Sequence, residues 1–475
     1  MERKNILLIT LDNVRYDFLA YPDNKWIKTP NFRDFTKECF QFNNHFTQIP
    51  FTPPSHYSLL HGTDLITQPR VLKVPETLKC LLGDDLPKFL KRKKYLTAAI
   101  VSALVLRRDL CPLTHADFDI YDDFFETQIQ ENPSKSFLLN SIWGRNKLLN
   151  YLAYYSKRDT LKKRFPELPL QMGDVTTQKV VSFIEKNQKR NWFLWVHYFD
   201  AHVATSVFRQ YMKDKYGGES FDDAYGHLAP PEYLYMYDKD EETKDNYIRS
   251  NITTDKYFAG KTNKYAGCVS YLDKLFGSLV DFLKANGLYD NTVIILTSDH
   301  GTPLGKYGHA SKVTNVYDCT VKVPLFIKVD GRQKKIEHLT QHSDLLPLIK
   351  RLFTDNEISV DEPRKTIFLE SPAGFSRPGD TKMYGMRTNS AKFILELRYH
   401  DSKVESRHYY FDINKDPYEN NNMFDTLDEV HKNELIDTLK GKFHQLTGYR
   451  DVIAEFISAT DDEEIKRRLK ELGYS

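Results

Sequence analysis

Cysteine is scarce: five residues among 475, widely spaced and odd in number, with no Cys-x-x-Cys pair. That excludes a disulfide framework or a thiolate zinc knuckle. Apolar runs are short, far below the ~20 residues that a membrane-spanning helix requires. At the amino terminus Met1 to Asn5 leads straight into the first hydrophobic run, so neither a signal peptide nor a transmembrane anchor is expected, and the expected location is the cytoplasm. Charge of one sign is missing as well. With 67 basic and 65 acidic residues the formal charge is +2, which leaves no global field for nucleic acid or an anionic membrane. Anion binding, if any, must come from local placement. Internal repeats and low-complexity tracts are absent.

What is present is a globular composition, 40% hydrophobic and 13% aromatic, on a chain too long for one ordinary core. Strand and helix signals alternate. Short β-branched and aromatic runs at residues 5–11, 96–102, 192–199, 292–298 and 323–328 read as buried strands. Helices are expected after Thr29, with Phe32, Phe35 and Cys39 on one stripe, and after Asp174 as a cap for Val180, Val181 and Ile184. The clearest helix runs from Lys264 to Asn286, where Cys268, Leu272, Leu275, Leu279 and Phe282 recur at three and four and Gly287 supplies the stop. This rhythm predicts an α/β fold: a mostly parallel sheet sandwiched by helices. Residues 1–378 form the expected catalytic domain, with insertions at about 129–172 and 205–263 that read either as substrate-facing lids or as surface elaboration. Residues 379–425 read as a small antiparallel unit, and 426–475 as a helical tail.

Three acidic residues fall where a hydrophobic run stops: Asp12, Asp200 and Asp299, the last followed by His300 and Gly301. In an open α/β sheet ligands bind outside the carboxyl ends of the strands. Carboxylates delivered to that edge with a histidine beside one of them suggest a divalent cation site. Neighbours at 299 and 300 cannot both face one ion from a straight strand, so the pair is expected on a loop. Thr52-Pro53-Pro54-Ser55-His56 reads as an extended approach to a helix starting at Pro54 or Ser55, with the Thr52 hydroxyl just ahead of its free N–H groups. Taken alone, such a turn is more often only a turn.

Several ordered motifs resemble the sulfatase-like branch of the alkaline phosphatase superfamily. The segment Leu11 to Leu19 is similar to its opening metal motif and Thr29 to Phe42 to its next helix and turn. The Thr52 segment is similar to its nucleophile motif. Phe193 to His202 resembles its "HxxDxH" stretch, Gly287 to Gly301 its second metal motif, Gly305 to Lys312 the segment after it, and Tyr410 to Asn421 its C-terminal "YDLxxDPxExxN" turn. The resemblance implies an alkaline phosphatase-like fold and a cation held by Asp12, Thr52, Asp299 and His300. It implies substrate or proton-transfer roles for His202, His309 and Lys312, and His56 is counted with Thr52 in the expected catalytic set. Asp200, His202 and His309 are the residues that would hold a second ion or the substrate, although one ion is the expectation.

One departure bears on the chemistry. True sulfatases carry Cys or Ser, oxidised to formylglycine, where this chain has Thr52, and Arg where it has His56. Thr resembles instead the nucleophile of phosphodiesterases and of phosphoethanolamine or phosphoglycerol transferases. A phosphodiester, phosphonate or phosphomonoester is therefore the expected substrate, attacked by Thr52. Two alternatives stand beside it: a sulfuric ester hydrolase using cation-activated water, and a catalytically inactive binding protein of the same fold. One imidazole among oxygen ligands suits Zn or Mn better than Ca. The expected partner is a small anionic ester, such as a glycan or lipid-headgroup precursor. His197 faces away from Tyr198 and reads as structural, Arg15 and Asp17 as a mutual pair, and His45, His61 and His115 have no assigned partners.

Overall fold

In this computed structural model the described residues are 4–19, 27–63, 84–106, 117–123, 173–203, 256–306, 315–360, 362–372, 381–400 and 403–444. The elements, in chain order, are β1 (Asn5–Leu11), α1 (Pro30–Thr36), β2 (Phe40–Phe42), β3 (His45–Phe46), α2 (Thr52–His61) and α3 (Leu86–Arg92). There follow β4 (Leu96–Val101), β5 (Ile120–Asp122), α4 (Gly173–Asn187), β6 (Trp192–Tyr198), α5 (Asp200–Val203), α6 (Lys256–Ala285) and β7 (Thr292–Ser298). The chain continues with α7 (Asp318–Val321), β8 (Leu325–Lys328), β9 (Lys334–Ile336), β10 (Thr340–Gln341) and α8 (Leu345–Thr354). Last come β11 (Ile367–Glu370), β12 (Thr381–Arg387), β13 (Ala391–His400), β14 (Lys403–Asp412) and α9 (Glu429–His444).

Eight strands make one sheet in the order β5-β4-β6-β1-β7-β8-β2-β9, parallel from β5 through β7. Strand β8 runs antiparallel to both its neighbours, β7 and β2. Strands buried on both faces favour apolar side chains at most positions, which is why β1, β6 and β7 read as near-continuous hydrophobic runs. Alternation then sorts them. Ile6, Leu8, Phe193, Trp195, Val293 and Ile295 pack with Leu59 and Leu60 of α2, Leu90 of α3 and Leu348 of α8. Leu7, Ile9, Leu194, Val196, Ile294 and Leu296 pack on the opposite face with Phe32 of α1, Val180 of α4 and Leu272 and Leu279 of α6. The expected mostly parallel α/β sandwich is what the structure shows.

Some boundaries differ from expectation. Helix α6 already starts at Lys256, so it extends into the segment assigned to the second insertion. Helix α4 starts at Gly173, and Asp174 lies inside its first turn; the cap comes from Asp200, whose Oδ1 accepts the Gly173 N–H at 2.9 Å. Helix α1 ends at Thr36, leaving Cys39 beyond it. The second sheet, β11-β12-β13-β14, is antiparallel and recruits Ile367–Glu370 from ahead of residue 379. The insertion at 129–172 and the tail beyond 444 lie outside the described residues.

Buried charge fastens this second sheet to the first. Asp318 of α7 meets Lys392 Nζ at 2.6 Å and Arg387 Nε at 3.3 Å, and Lys392 also reaches Glu419 Oε1 at 2.8 Å. Glu419 Oε2 accepts the Asp318 N–H at 2.7 Å. Burial alone would raise the Asp318 carboxyl, but Lys392 and Arg387 hold it well below the usual carboxylate range. Removing one member of a buried ion set leaves its partners uncompensated, typically at 3–5 kcal/mol. Lys392→Met should therefore lower stability in urea unfolding by about 3–5 kcal/mol; a loss under about 1 kcal/mol would show that the cluster does not hold the two sheets together.

Candidate metal and catalytic site

Strand register brings the site together. Leu11 lies opposite both Tyr198 of β6 and Ser298 of β7, so the residues that follow these strands emerge side by side. The Asp299 carboxylate ties two of the loops: its Oδ1 accepts the N–H of Asn13 at 2.9 Å and of His300 at 2.8 Å. Asn13 takes a left-handed φ of 66°, which turns the chain out of β1 immediately after Asp12. Ser298 Oγ adds a second tie, 2.7 Å from the Leu11 carbonyl and 3.0 Å from the Val14 nitrogen that donates to it.

The loop expected at 299–301 is present, and Gly301 has a steric reason. A Cβ there would fall 2.2 Å from the Cys319 carbonyl oxygen, and the Gly301 N–H donates to Thr320 at 2.8 Å. The turn thus rests on α7, the helix clamped by the second sheet. His300 Nδ1 lies 3.0 Å from the Gly301 carbonyl. Donation to that carbonyl puts the proton on Nδ1 and directs Nε2 towards Thr52.

Thr52 is the first residue of α2, not a residue ahead of it. The two following positions are prolines without N–H groups, so the amide cradle expected for an anion is reduced to the Thr52 N–H itself. The threonine Oγ1 lies 3.4 Å from Asp12 Oδ2 and 3.3 Å from His300 Nε2. His300 Nε2 is in turn 3.3 Å from Asp299 Oδ2. Asp12, Thr52, Asp299 and His300 are all buried, and one ligand atom each of Asp12, Asp299 and His300 lie within 4.8 Å of one another. Donors bonded to a tetrahedral ion at 2.0–2.1 Å stand about 3.3–3.4 Å apart, which matches three of these separations. The set fits a divalent cation in both donor chemistry and spacing.

A family profile described as Sulfatase matches residues 4–354. The chain belongs to the sulfatase family. Among curated relatives, iduronate 2-sulfatase of Mus musculus is 25% identical over 356 residues, covering 69% of this chain and 60% of that one. The chain therefore spans less than two thirds of that relative. Among solved structures, the yidJ protein of Bacteroides fragilis superposes with a TM-score of 0.62 at 16% identity, covering 94% of this chain and 96% of the other. A phosphonate monoester hydrolase of Agrobacterium radiobacter gives 0.57 at 16% identity, covering 93% and 96%. Both likenesses concern the alkaline phosphatase-like fold.

Of the remaining expected site residues, His56, Asp200 and His202 are described. His56 follows Thr52 by one helical turn and lies at its back: Nδ1 is 2.8 Å from the Thr52 carbonyl and Nε2 3.1 Å from Thr10 Oγ1. Burial pushes its pKa well below the ordinary histidine range. Asp200, assigned to a possible second ion or the substrate, uses Oδ1 to cap α4. His202, in the short helix α5 that follows β6, stacks on Phe199 at 4.6 Å. His309 and Lys312 lie outside the described residues. Arg15 and Asp17 do pair, at 2.7 Å, in a buried bridge. No helix among the described residues is long and apolar enough to cross a membrane.

Sequence reasoning missed two residues that hold the cradle. Ser55 Oγ donates to the Asp299 carbonyl at 2.7 Å and lies 3.0 Å from His342 Nδ1, whose Nε2 reaches the Ser298 carbonyl at 3.1 Å. They join α2 to the end of β7 across almost the whole length of the domain, and no local pattern marks such a contact. Asp200 generates a pH prediction. Burial raises its carboxyl to about 7, with Asp174 nearby adding to the effect. Its unfolded value is about 3.9, so the folded state disfavours the charged form and this penalty grows as pH rises from about 4 to about 7. In Asp200→Asn the penalty is gone. Relative to wild type, the variant should gain on the order of 4 kcal/mol across that window and nothing further above it. Urea unfolding at a series of pH values checks this, and a pH-independent difference would contradict it.

Proposed function

We propose that this sulfatase-family ester hydrolase acts on a phosphoester, with Thr52 as nucleophile and one divalent cation held by Asp12, Thr52, Asp299 and His300. The observation that carries the reading is the buried Thr52 Oγ1, within 3.4 Å of both Asp12 Oδ2 and His300 Nε2. A threonine hydroxyl cannot become the formylglycine on which sulfatase chemistry depends, but it can be a nucleophile once its proton is lost. Charge withdrawal from that oxygen is what a bound divalent cation supplies. One imidazole and three oxygens suit Zn²⁺ or Mn²⁺ better than Ca²⁺.

Each residue then has a task. Thr52 is fixed by the rigid first turn of α2, with prolines at the next two positions, and by His56 behind its carbonyl, so we assign His56 a positioning role. Thr52 Oγ1 attacks phosphorus in line, the bond to the leaving alkoxide breaks, and a phosphothreonine forms. His202 or His309 protonates the leaving oxygen, a contribution of typically 10²–10⁴-fold. Lys312 offsets charge on the non-bridging oxygens, a duty made heavier by the missing proline N–H groups. Water, or a second alcohol in a transferase, resolves the ester. The substrate is a small anionic ester of the glycan or lipid-headgroup type, selected by the segments at 129–172 and 205–263.

A second reading, sulfuric ester hydrolysis by cation-activated water with Thr52 only as ligand, draws support from the iduronate 2-sulfatase relative. Thr52→Ala separates the two. On the nucleophile reading turnover of chromogenic phosphate diesters and phosphonates falls about 10³–10⁶-fold while cation content stays near wild type. Labelled phosphate is trapped on the wild-type chain and not on the variant. Persistent turnover by the variant, with sulfates preferred, would instead establish the second reading.

A further inference from the structure

The α2 face of β6 carries a histidine that the reading above leaves unused. Residues alternate along the strand, so His197 points to the same side as Phe193 and Trp195, towards α2, whereas Tyr198 points to α4. Its backbone lies opposite Thr10, two residues before Asp12. The ring is fully buried, and neither ring nitrogen makes a hydrogen bond. A buried polar group in that condition is destabilising unless something else engages it.

What it faces is specific. His197 Nε2 lies 3.4 Å from Asp12 Oδ2, the same oxygen that lies 3.4 Å from Thr52 Oγ1. One nitrogen of His197 also falls within 4.8 Å of an Asp299 oxygen and of a His56 nitrogen. A nitrogen and a carboxylate oxygen this close without a hydrogen bond are near enough to bind a common ion, which can expand beyond four donors. His56, the other imidazole in the group, has its nitrogens beside the Thr52 carbonyl and Thr10 Oγ1, and its ring packs against His197 at 5.0 Å. It buttresses His197 without competing for the ion.

We propose that His197 is a further protein donor to the cation held by Asp12, Thr52, Asp299 and His300, giving that centre two imidazoles. The inference rests on the cradle proposed above, and the following experiment tells failure of one from failure of the other. Co²⁺ replaces the native ion in the intact chain, and exchangeable hyperfine-shifted N–H signals are counted by ¹H NMR while affinity is measured by titration. Wild type should bind one equivalent and show two such signals, from His300 and His197. His197→Ala and His197→Leu should each keep one signal and bind Co²⁺ about 10–100-fold more weakly, a loss typical of removing a group that supports a metal site.

A single signal in wild type overturns the assignment without any variant having to fold. Unchanged affinity in a folded variant overturns it as well. Two equivalents in wild type, one of them lost in the variants, would place His197 at a separate ion and likewise contradict a shared centre. Co²⁺ binding that is absent in wild type, or that survives Asp299→Ala undiminished, would remove the cradle itself.

Discussion

One carboxylate organises this molecule. Asp299 sits at the end of β7 and takes two backbone N–H groups on Oδ1, from Asn13 after β1 and from its neighbour His300. That locks the ends of two adjacent parallel strands together and leaves Oδ2 directed at the His300 imidazole, 3.3 Å away. Everything proposed for catalysis follows from where this arrangement puts Asp12, His300 and, across them, the first residue of α2.

Burying several ionisable groups at one strand edge is costly, and the surrounding structure is built to hold them. Ser55 and His342 tie α2 to β7, Gly301 admits the close approach of α7, and α7 is gripped by Lys392 and Arg387 of the second sheet. The small antiparallel sheet therefore supports the turn at Asp299–Gly301 from behind, through Asp318 and Glu419. Helix α2 contributes rigidity instead of hydrogen-bond donors, because Pro53 and Pro54 fix the backbone but offer no N–H.

Much of this was legible in the residues. The β-branched runs of β1, β6 and β7 announced buried parallel strands, and the acids after β1 and β7, with His300 and Thr52, are the residues that the structure brings together. Local patterns could not decide which helical layer each strand-end side chain would join. Asp200, assigned to a possible second ion or the substrate, uses Oδ1 to cap α4, and His197, read as structural, lies with Nε2 3.4 Å from Asp12 Oδ2. Period-two alternation separates the two faces of a strand, but only the tertiary packing of α2 makes one face the chemical one. The Asp318–Lys392–Glu419 cluster was hidden for a related reason: its members are brought together by two sheets meeting, and no sequence spacing encodes that.

The central claim is that one cation grips the Thr52 oxygen at the carboxyl edge of the parallel sheet. Crystals grown with Zn²⁺ or Mn²⁺ and measured at the metal's absorption edge test it most directly. The account predicts one strong anomalous peak within about 2.0–2.2 Å of donor atoms of Asp12, Thr52, Asp299 and His300. A strong peak elsewhere with none among these side chains, or a bound ion that leaves Thr52 Oγ1 beyond bonding reach, would contradict it.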